Sequence, residues 1–202
     1  MRRWFLVGFA LFLASPAAAA VPSAANSTVP CIVMCPQGDI PLQITVRDFA
    51  SNPVVNSHVE VVFCADGAPV SAESVPPFLL CCDNPCGEGG FTDAQGHFNF
   101  TLQGGGASAN PTTVVIRADG VLLANRSSTS PDQNADLLVD ATDLAIGTGL
   151  LGTGDVTMDL DCDGGLVDAD DLAVISLHEG HVCHCPVPAR RNSWGQMKTL
   201  YR

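Results

Sequence analysis

The stretch PLQITVRDFASNPVVNSHVEVVF, residues 41–63, decides the fold of the first half of this chain. Apolar residues occupy every second position in two segments of it, 42–46 and 59–63, and the turn-forming sequence Ser-Asn-Pro at 51–53 lies between them. This alternation is typical of a β-strand with one buried face. The stretch therefore predicts two strands, which the turn would pair as a hairpin.

Further strand signals follow along the chain. Residues 97–102 alternate after a turn at 93–96, and residues 114–118 continue through Asp-Gly at 119–120 into a return strand at 121–124. The Asp-Gly dipeptide is typical of hairpin turns. Short strands separated by turn residues every ten or so positions predict an antiparallel β-sandwich.

Between these strands, residues 65–90 are rich in glycine, proline and cysteine and show no alternation. We expect a long loop there, held by disulfides. The cysteines that would hold it are Cys64, Cys81, Cys82 and Cys86.

Two phrases, VRDFASNPVVNSHVEVVF and FTDAQGHFNFTL, resemble those of bacterial immunoglobulin-like or prealbumin-like surface domains. The resemblance covers about residues 41–125 and implies an immunoglobulin-like antiparallel β-sandwich at residues 40–128. The whole chain is thus expected to be mainly β, with a small α-helical part after the sandwich. The resemblance implies no activity.

The N-terminal residues predict the compartment. Arg2 and Arg3 precede an apolar run at 4–13, and the small residues at 18–20 offer a cleavage site. The run is too short to cross about 30 Å of hydrocarbon, so we expect a secretory signal peptide at 1–20 and a mature protein that is secreted or at the cell surface, without a membrane span. Residues 21–39 have several prolines and no periodicity and are expected to be a leader segment.

The chain is acidic, with a formal net charge of −12. Loss of the two basic residues of the signal peptide changes the charge to about −14. Such a surface repels phosphate backbones and anionic lipids and attracts divalent cations, so nucleic acid is not an expected partner. Nine cysteines in an exported chain predict disulfides, and the odd number leaves one thiol over.

A tandem repeat lies in the acidic second half. The phrase VDATDLA at 139–145 returns as VDADDLA at 167–173, and each copy follows alternating oxygen-bearing residues. Neither Lys nor Arg occurs between Ser127 and Ala189. Carboxylates crowded in this way repel one another unless a cation neutralises them.

The spacing indicates calcium. A calcium loop needs oxygen ligands at positions one, three and five, a backbone carbonyl at seven, a water-linked residue at nine and a carboxylate at twelve. In the first copy these positions fall on Asp132, Asn134, Asp136, Leu138, Asp140 and Asp143. Position six is Leu137, where the sharp turn favours glycine, at a cost of roughly 1 to 2 kcal/mol. We therefore expect weaker calcium binding here than a glycine would allow.

The second copy contains one additional residue. Its ligands are expected to be Asp159, Asp161, Asp163, Gly165, Asp168 and Asp171. Either Gly165 is an insertion that bulges out while Asp171 closes the site, or Asp170 takes the closing position. We favour Asp171, because Leu172 then matches Leu144 in the repeat.

Two calcium loops, each followed by one helix, resemble the duplicated repeats of type I dockerins, over about residues 131–184. The resemblance implies a dockerin-like domain at 129–184 that docks to a cohesin through loop positions ten and eleven, often Ser and Thr. Here those positions hold Ala-Thr at 141–142 and Ala-Asp at 169–170, which puts cohesin binding in doubt. The structural alternative, an acidic disordered linker, is disfavoured by the apolar residues of the repeat.

Residues 178–185 concentrate His and Cys, which suggests a zinc hydrolase. The helical protease motif needs histidines four positions apart, and position 182 is valine, so the motif fails. The sequence favours a disulfide between Cys162 and Cys183 with the histidines at a helix end, where positive charge is favourable, and leaves a transition-metal site as the alternative. The basic residues at 185–202 are expected to be a tail that docks on the repeats, serves sorting or attachment, or stays solvated.

These observations predict a secreted, non-catalytic, calcium-binding modular protein for cell-surface adhesion or extracellular assembly. The first alternative is a cellulosome-like accessory protein of polysaccharide degradation that docks to a cohesin. The second is a metal-dependent hydrolase that uses the C-terminal His and Cys residues.

Overall fold

The computed structural model describes residues 20–63, 78–80, 87–107 and 114–183, with only the backbone described at 78–80. Residues 1–19 of the predicted signal peptide, the tail at 185–202 and the four cysteines of the predicted long loop lie outside the described residues. Within them the chain is mainly β with antiparallel sheets and two helices, as the sequence predicts. Neither described helix has the length and apolar character that crossing a membrane requires.

The described elements follow one another in a simple order. The strands are β1 (Ile32–Val33), β2 (Leu42–Thr45), β3 (His58–Val62), β4 (Phe78–Leu80), β5 (Gly87–Phe91), β6 (His97–Phe100), β7 (Gly104–Gly106), β8 (Val114–Ala118), β9 (Val121–Arg126) and β10 (Ser128–Thr129). The helices are α1 (Ala141–Leu150) and α2 (Ala169–Leu177).

The strands form one larger sheet and several small ones. The four-stranded antiparallel sheet has the order β5-β3-β8-β9, while β2 pairs with β6, β4 with β7, and β1 runs parallel to β10. Alternate side chains of β2, β3 and β8 enter one shared apolar core, which we call the first core. Its fully buried members include Ile44, Val59, Val61, Val114 and Ile116.

The predicted hairpin between the strands of residues 41–63 is wrong. β2 pairs with β6, whereas β3 pairs with β5 and β8, so the two strands lie in different sheets. The turn closes early: Val54 donates to the carbonyl of Val46 at 3.0 Å, and the chain then crosses to the other sheet. Alternation predicts which face of a strand is buried, but it does not identify the neighbouring strand.

The predicted hairpin at residues 114–124 is confirmed. β8 and β9 are antiparallel neighbours joined by Asp119 and Gly120. Their φ angles are 48° and 79°, and positive φ at both central residues is the requirement of a type I′ turn.

The segment 65–90, expected to be a loop, contains β4 and most of β5. β5 pairs with β3 from His58 opposite Phe91 to Val62 opposite Gly87. A Cβ on Gly90 would lie 2.5 Å from Cε2 of Phe98, so the close approach of the ring needs glycine there. The strand GEGGF has too few side chains to alternate, and its pairing depends on the backbone.

The segment 21–39, expected to be a leader, packs into the protein. Ile32 and Met34 are buried in the first core, while Val33 faces the opposite way. A strand as short as β1, buried on both faces, produces no readable alternation, which is why the sequence indicates no structure there.

A second apolar core, the second core, lies mainly within residues 129–183, which we call the repeat module. This core contains Val33, Val139, Met158, Leu160, Val167 and Ile175. Backbone hydrogen bonds join the two copies of the repeat symmetrically. The N–H of Gly152, after α1, donates to the carbonyl of Val167 at 2.8 Å, and the N–H of Gly180, after α2, donates to the carbonyl of Val139 at 2.8 Å. Each predicted loop is therefore tied to the segment that follows the helix of the other copy.

Candidate metal sites

The first predicted calcium loop wraps its backbone around its first and last carboxylates. Asp132 Oδ2 accepts a hydrogen bond from the Leu137 N–H at 2.8 Å. Asp143 accepts from the N–H groups of Gln133 at 2.7 Å and Asp140 at 2.8 Å. Both Asp132 and Asp143 are fully buried.

The second predicted loop makes the equivalent contacts. Asp159 Oδ2 accepts from the Gly164 N–H at 3.2 Å. Asp171 accepts from the N–H groups of Leu160 at 2.7 Å and Asp168 at 3.0 Å. The repeat detected in the sequence is therefore also a repeat of hydrogen bonds.

Both helices begin with a capping box at the ninth loop position. Asp140 is the N-cap of α1 and Asp168 is the N-cap of α2, and each accepts from the N–H two residues further on at 2.7 Å. The reciprocal acceptors are Asp143 and Asp171. The carboxylates predicted as ligands thus also hold the helices in position.

Hydrogen bonds locate the additional residue of the second loop. The Gly165 N–H donates to Asp163 Oδ1 at 2.6 Å, as the Leu138 N–H donates to Asp136 Oδ1 at 3.0 Å. Gly165 therefore occupies the seventh position. The loop bulges at the next residue, Leu166, which is 60% exposed, and not at Gly165.

The closing position of the second loop is held by a buried residue. Asp171 is buried like Asp143, whereas Asp170 is exposed. Carboxylate oxygens of Asp159, Asp161 and Asp171 lie within 4.8 Å of one another. Asp159 Oδ1 is buried and has no hydrogen-bond partner among the described residues. An orphaned carboxylate oxygen is costly to bury, and a cation would satisfy it.

The other predicted ligands are more exposed. In the first loop the Asn134 side-chain amide donates to Asp136 Oδ2 at 2.9 Å. In the second loop the exposed residues Asp161, Asp168 and Asp170 form another group with oxygens within 4.8 Å. The two loops differ at their first aspartate. Both carboxylate oxygens of Asp132 accept backbone N–H groups, whereas Asp159 Oδ1 has no such partner among the described residues.

Both loops need positive φ at the fourth and sixth positions. At position six, Leu137 has φ 67° and Gly164 has φ 73°. At position four, Ala135 has φ 60° and Cys162 has φ 68°. The strain that the sequence predicts at Leu137 is confirmed.

Burial and the neighbouring carboxylates change the ionisation of two loop aspartates. Burial raises the pKa of Asp132 to about 6, and the charges of Asp143 and Asp136 contribute. The pKa of Asp161 is also raised: the Asp163 N–H opposes the rise, but desolvation and the neighbouring carboxylates outweigh it. Both directions reflect the desolvation and mutual repulsion of the loop carboxylates.

A second group of side chains that could bind a metal ion lies at the C-terminal end of α2. Side-chain atoms of Cys35, Asp39, His178 and His181 lie within 4.8 Å of one another. The sequence suggests the two histidines, but Cys35 and Asp39 come from the supposed leader segment, and no local motif identifies them. His178 is the C-cap residue of α2, as the sequence predicts for a histidine.

The predicted disulfide between Cys162 and Cys183 is wrong. Cys162 is bonded to Cys31, with a Cα–Cα distance of 6.1 Å, and Cys183 belongs to another disulfide. The sequence favours a partner near in sequence, but Cys162 is bonded to a distant cysteine, Cys31, which immediately precedes β1. Cys35 is buried with a free thiol, and burial raises the pKa of this thiol to about 12.

Comparison with known proteins returned no match, whether to protein-family models, to curated proteins or to solved structures.

Proposed function

We propose that this chain is a secreted or cell-surface, non-catalytic modular protein in which calcium orders a dockerin-like pair of loops attached to an immunoglobulin-like β-sandwich. Its role is adhesion or extracellular assembly: the β-rich half presents a surface, and the repeat module connects it to another component.

The convergence of carboxylates in the second loop carries this proposal. Asp159, Asp161 and Asp171 offer oxygens within 4.8 Å of one another, and the buried Asp159 Oδ1 lacks a hydrogen-bond partner in the described part of the chain. Hard oxygen donors at these spacings suit calcium better than a transition metal. Gly165 would add its carbonyl, and Asp163 and Asp168 would complete the ligand set.

The first loop supports the same reading more weakly. It repeats the backbone hydrogen bonds of the second loop, but Leu137 is strained and the oxygens of Asp132 are already hydrogen-bonded. We therefore expect the first loop to bind calcium less tightly than the second.

Calorimetric titration of the chelated mature chain with calcium tests the proposal. We expect heat of binding at or below millimolar calcium and a tighter site that Asp161→Asn and Asp171→Asn weaken by about tenfold or more, equivalent to about 1.4 kcal/mol. Asp161 is exposed, so its variant should keep the fold.

Asp170→Asn is the matched control, because Asp170 is an exposed aspartate of the same loop and occupies the closing position only in the alternative alignment. Its affinity should remain that of the parent chain. Loss of the site in this variant alone would reassign the closing ligand to Asp170. No heat at millimolar calcium would remove the proposed function.

The second candidate is docking to a cohesin in polysaccharide degradation. It is favoured by the exposure of loop positions ten and eleven, at 141–142 and 169–170, and by the exposed apolar residues Leu166 and Leu177 of the second copy. Calcium-dependent retention on an immobilised cohesin, lost in excess chelator, would favour it. Calcium binding without retention would favour adhesion or another assembly partner.

The hydrolase alternative depends on His178 and His181. Substitution of both by alanine would abolish any hydrolytic activity of this kind. An activity that survives both substitutions would have another origin.

A further inference from the structure

We propose that Cys35, Asp39, His178 and His181 bind one zinc ion, which fastens the N-terminal segment to the end of α2. The site is separate from the calcium loops and differs from them in ligand chemistry. One thiolate, one carboxylate and two imidazoles form a set that suits zinc and is too soft for calcium.

Two of the distances match those between neighbouring ligands of a four-coordinate ion. Ligand bonds of about 2.0 to 2.3 Å in a tetrahedron place neighbouring ligand atoms about 3.3 to 3.6 Å apart. Cys35 Sγ lies 3.5 Å from His181 Nδ1, and Asp39 Oδ2 lies 3.4 Å from the same nitrogen. His178 Nε2 lies 3.9 Å from Asp39 Oδ1, so this ligand needs only a small movement inward.

The ring of His178 is already oriented for coordination. Its Nδ1 lies 2.8 Å from the carbonyl oxygen of Val174, and a carbonyl can only accept a hydrogen bond. Nδ1 therefore carries the proton, which leaves the lone pair of neutral His178 on Nε2, the atom that faces Asp39. Metal-binding histidines typically have such a hydrogen bond on the other ring nitrogen.

The arrangement does not fit a Cys-His-Asp catalytic relay. A relay needs the nucleophile on one imidazole nitrogen and the carboxylate on the other. Here Cys35 and Asp39 both approach Nδ1 of His181. A thiol and a carboxylate that lie 3.5 and 3.4 Å from the same imidazole nitrogen are spaced as neighbouring ligands of one cation would be.

Backbone hydrogen bonds hold the two segments that supply the ligands. Cys35 donates its N–H to Leu102 at 3.1 Å, and the turn bond from Gly38 N to Cys35 O at 2.9 Å brings Asp39 back beside the thiol. The carbonyl of His181 accepts from Val139 at 2.9 Å, which holds the end of α2 against the first loop. A bound ion would therefore link the β-rich half to the repeat module.

Charge and access also suit a divalent ion. One thiolate and one carboxylate would neutralise Zn²⁺, with both histidines neutral. A cavity of about 540 Å³ has Asp39, His178 and His181 in its wall, together with apolar residues such as Ile40 and Leu177, and offers an entry path.

Cobalt is the spectroscopic probe for the test. The full mature chain is stripped of metal, saturated with calcium so that the loops are filled, and titrated with Co²⁺. We expect one Co²⁺ per chain, with the visible bands of four-coordinate cobalt and a thiolate-to-cobalt charge-transfer band, and displacement of both by one equivalent of Zn²⁺.

Variants separate the site from adventitious binding. Asp39→Asn and His181→Gln should weaken Co²⁺ by about tenfold or more, and Cys35→Ser should remove the charge-transfer band. His58→Gln is the matched control, because His58 pairs with Glu60 at 3.9 Å without a cysteine, and it should leave the titration unchanged.

The competing explanation is a hydrogen-bonded network of protonated histidines and Asp39. It predicts no cobalt charge-transfer band and no Zn²⁺-dependent rise in melting temperature in the parent chain, and that result would overturn the proposal. Equal Co²⁺ affinity in the parent chain and the Asp39→Asn variant would do the same. Since calcium is saturating throughout, failure here would leave the calcium proposal untouched.

Discussion

Leu137 illustrates a local conflict between sequence and fold. Its φ of 67° lies in the left-handed region, while its N–H still reaches Asp132 at 2.8 Å and its carbonyl accepts from Cys183 at 3.1 Å. The loop contacts thus impose a conformation that costs an L-residue roughly 1 to 2 kcal/mol. Gly164 takes the equivalent position in the second loop without this cost.

We expect Leu137→Gly to stabilise the protein by about 1 kcal/mol and to tighten calcium binding in the first loop. The half-buried Leu137 side chain loses some contacts, which limits the gain. Urea unfolding and calcium titration measure the two effects. The neighbouring Leu138→Gly is the control, since this residue has no positive φ and should be destabilised by glycine; equal effects of both variants would contradict the argument.

At the residue scale the sequence predicts what depends on local spacing. The spacing of the Asp and Asn residues predicts which positions of the two copies are equivalent, and the hydrogen bonds of the two loops agree with it. The same spacing predicts the strain at Leu137. The positions of Cys35 and Asp39 do not follow from local spacing, because they depend on contacts across the molecule. The bulge at Leu166 is local, but it is identified only by the hydrogen bond from the Gly165 N–H to Asp163. Calcium ligation itself stays a prediction.

At the scale of elements, helix packing in the repeat module depends on one glycine. A Cβ on Gly147 would lie 2.8 Å from Leu172 Cδ2 and 3.1 Å from Ile175 Cδ1, and closer still to Met158 Cε. Glycines at 147 and 149 weaken α1 as an isolated helix, yet α1 extends over Ala141–Leu150 because tertiary packing and the capping box outweigh propensity.

Gly147→Ala should therefore destabilise the calcium-saturated protein by about 1 to 3 kcal/mol despite the better helix propensity of alanine. Gly149→Ala, in the same helix, meets nothing within 4 Å and should stabilise by up to about 1 kcal/mol. Thermal unfolding of both variants gives the comparison. A stabilising Gly147→Ala would mean that α1 and α2 do not approach as closely as described.

The strands show where prediction from pattern ends. The β8-β9 hairpin could be predicted because its turn and both strands are adjacent in sequence. The partners of β2 and β3 could not, since β2 reaches β6 across more than forty intervening residues and β5 has almost no side chains to form a pattern. Backbone pairing of glycine-rich strands leaves no hydrophobic signature.

At the scale of the whole molecule, residues 31–40 join the two halves. Successive side chains of β1 alternate between the cores, with Ile32 in the first and Val33 in the second. Met34 donates to Thr129 at 2.8 Å, and Cys31 is bonded to Cys162 across a sequence separation of 131 residues. Cys162 lies inside the second predicted calcium loop, so the covalent link ends at a proposed ion site.

This link predicts that calcium stabilises the β-rich half as well as the repeat module. Replacement of Cys31 and Cys162 together by serine should lower the free energy of unfolding by roughly 2 to 5 kcal/mol, since a long closed loop is released in the unfolded chain. It should also reduce the effect of calcium on the first core. Hydrogen exchange at Val46, whose N–H donates to Gly96 at 2.8 Å, reports on that core.

In the intact chain, calcium should slow exchange at Val46 because the ion stabilises a folded state that both halves share. In the double-serine variant the same addition of calcium should slow it less, since only packing and backbone hydrogen bonds would connect the halves. If calcium slowed exchange equally in both chains, the disulfide would be irrelevant to the coupling, and the apolar contacts of Val33 and Ile40 would be sufficient to transmit it.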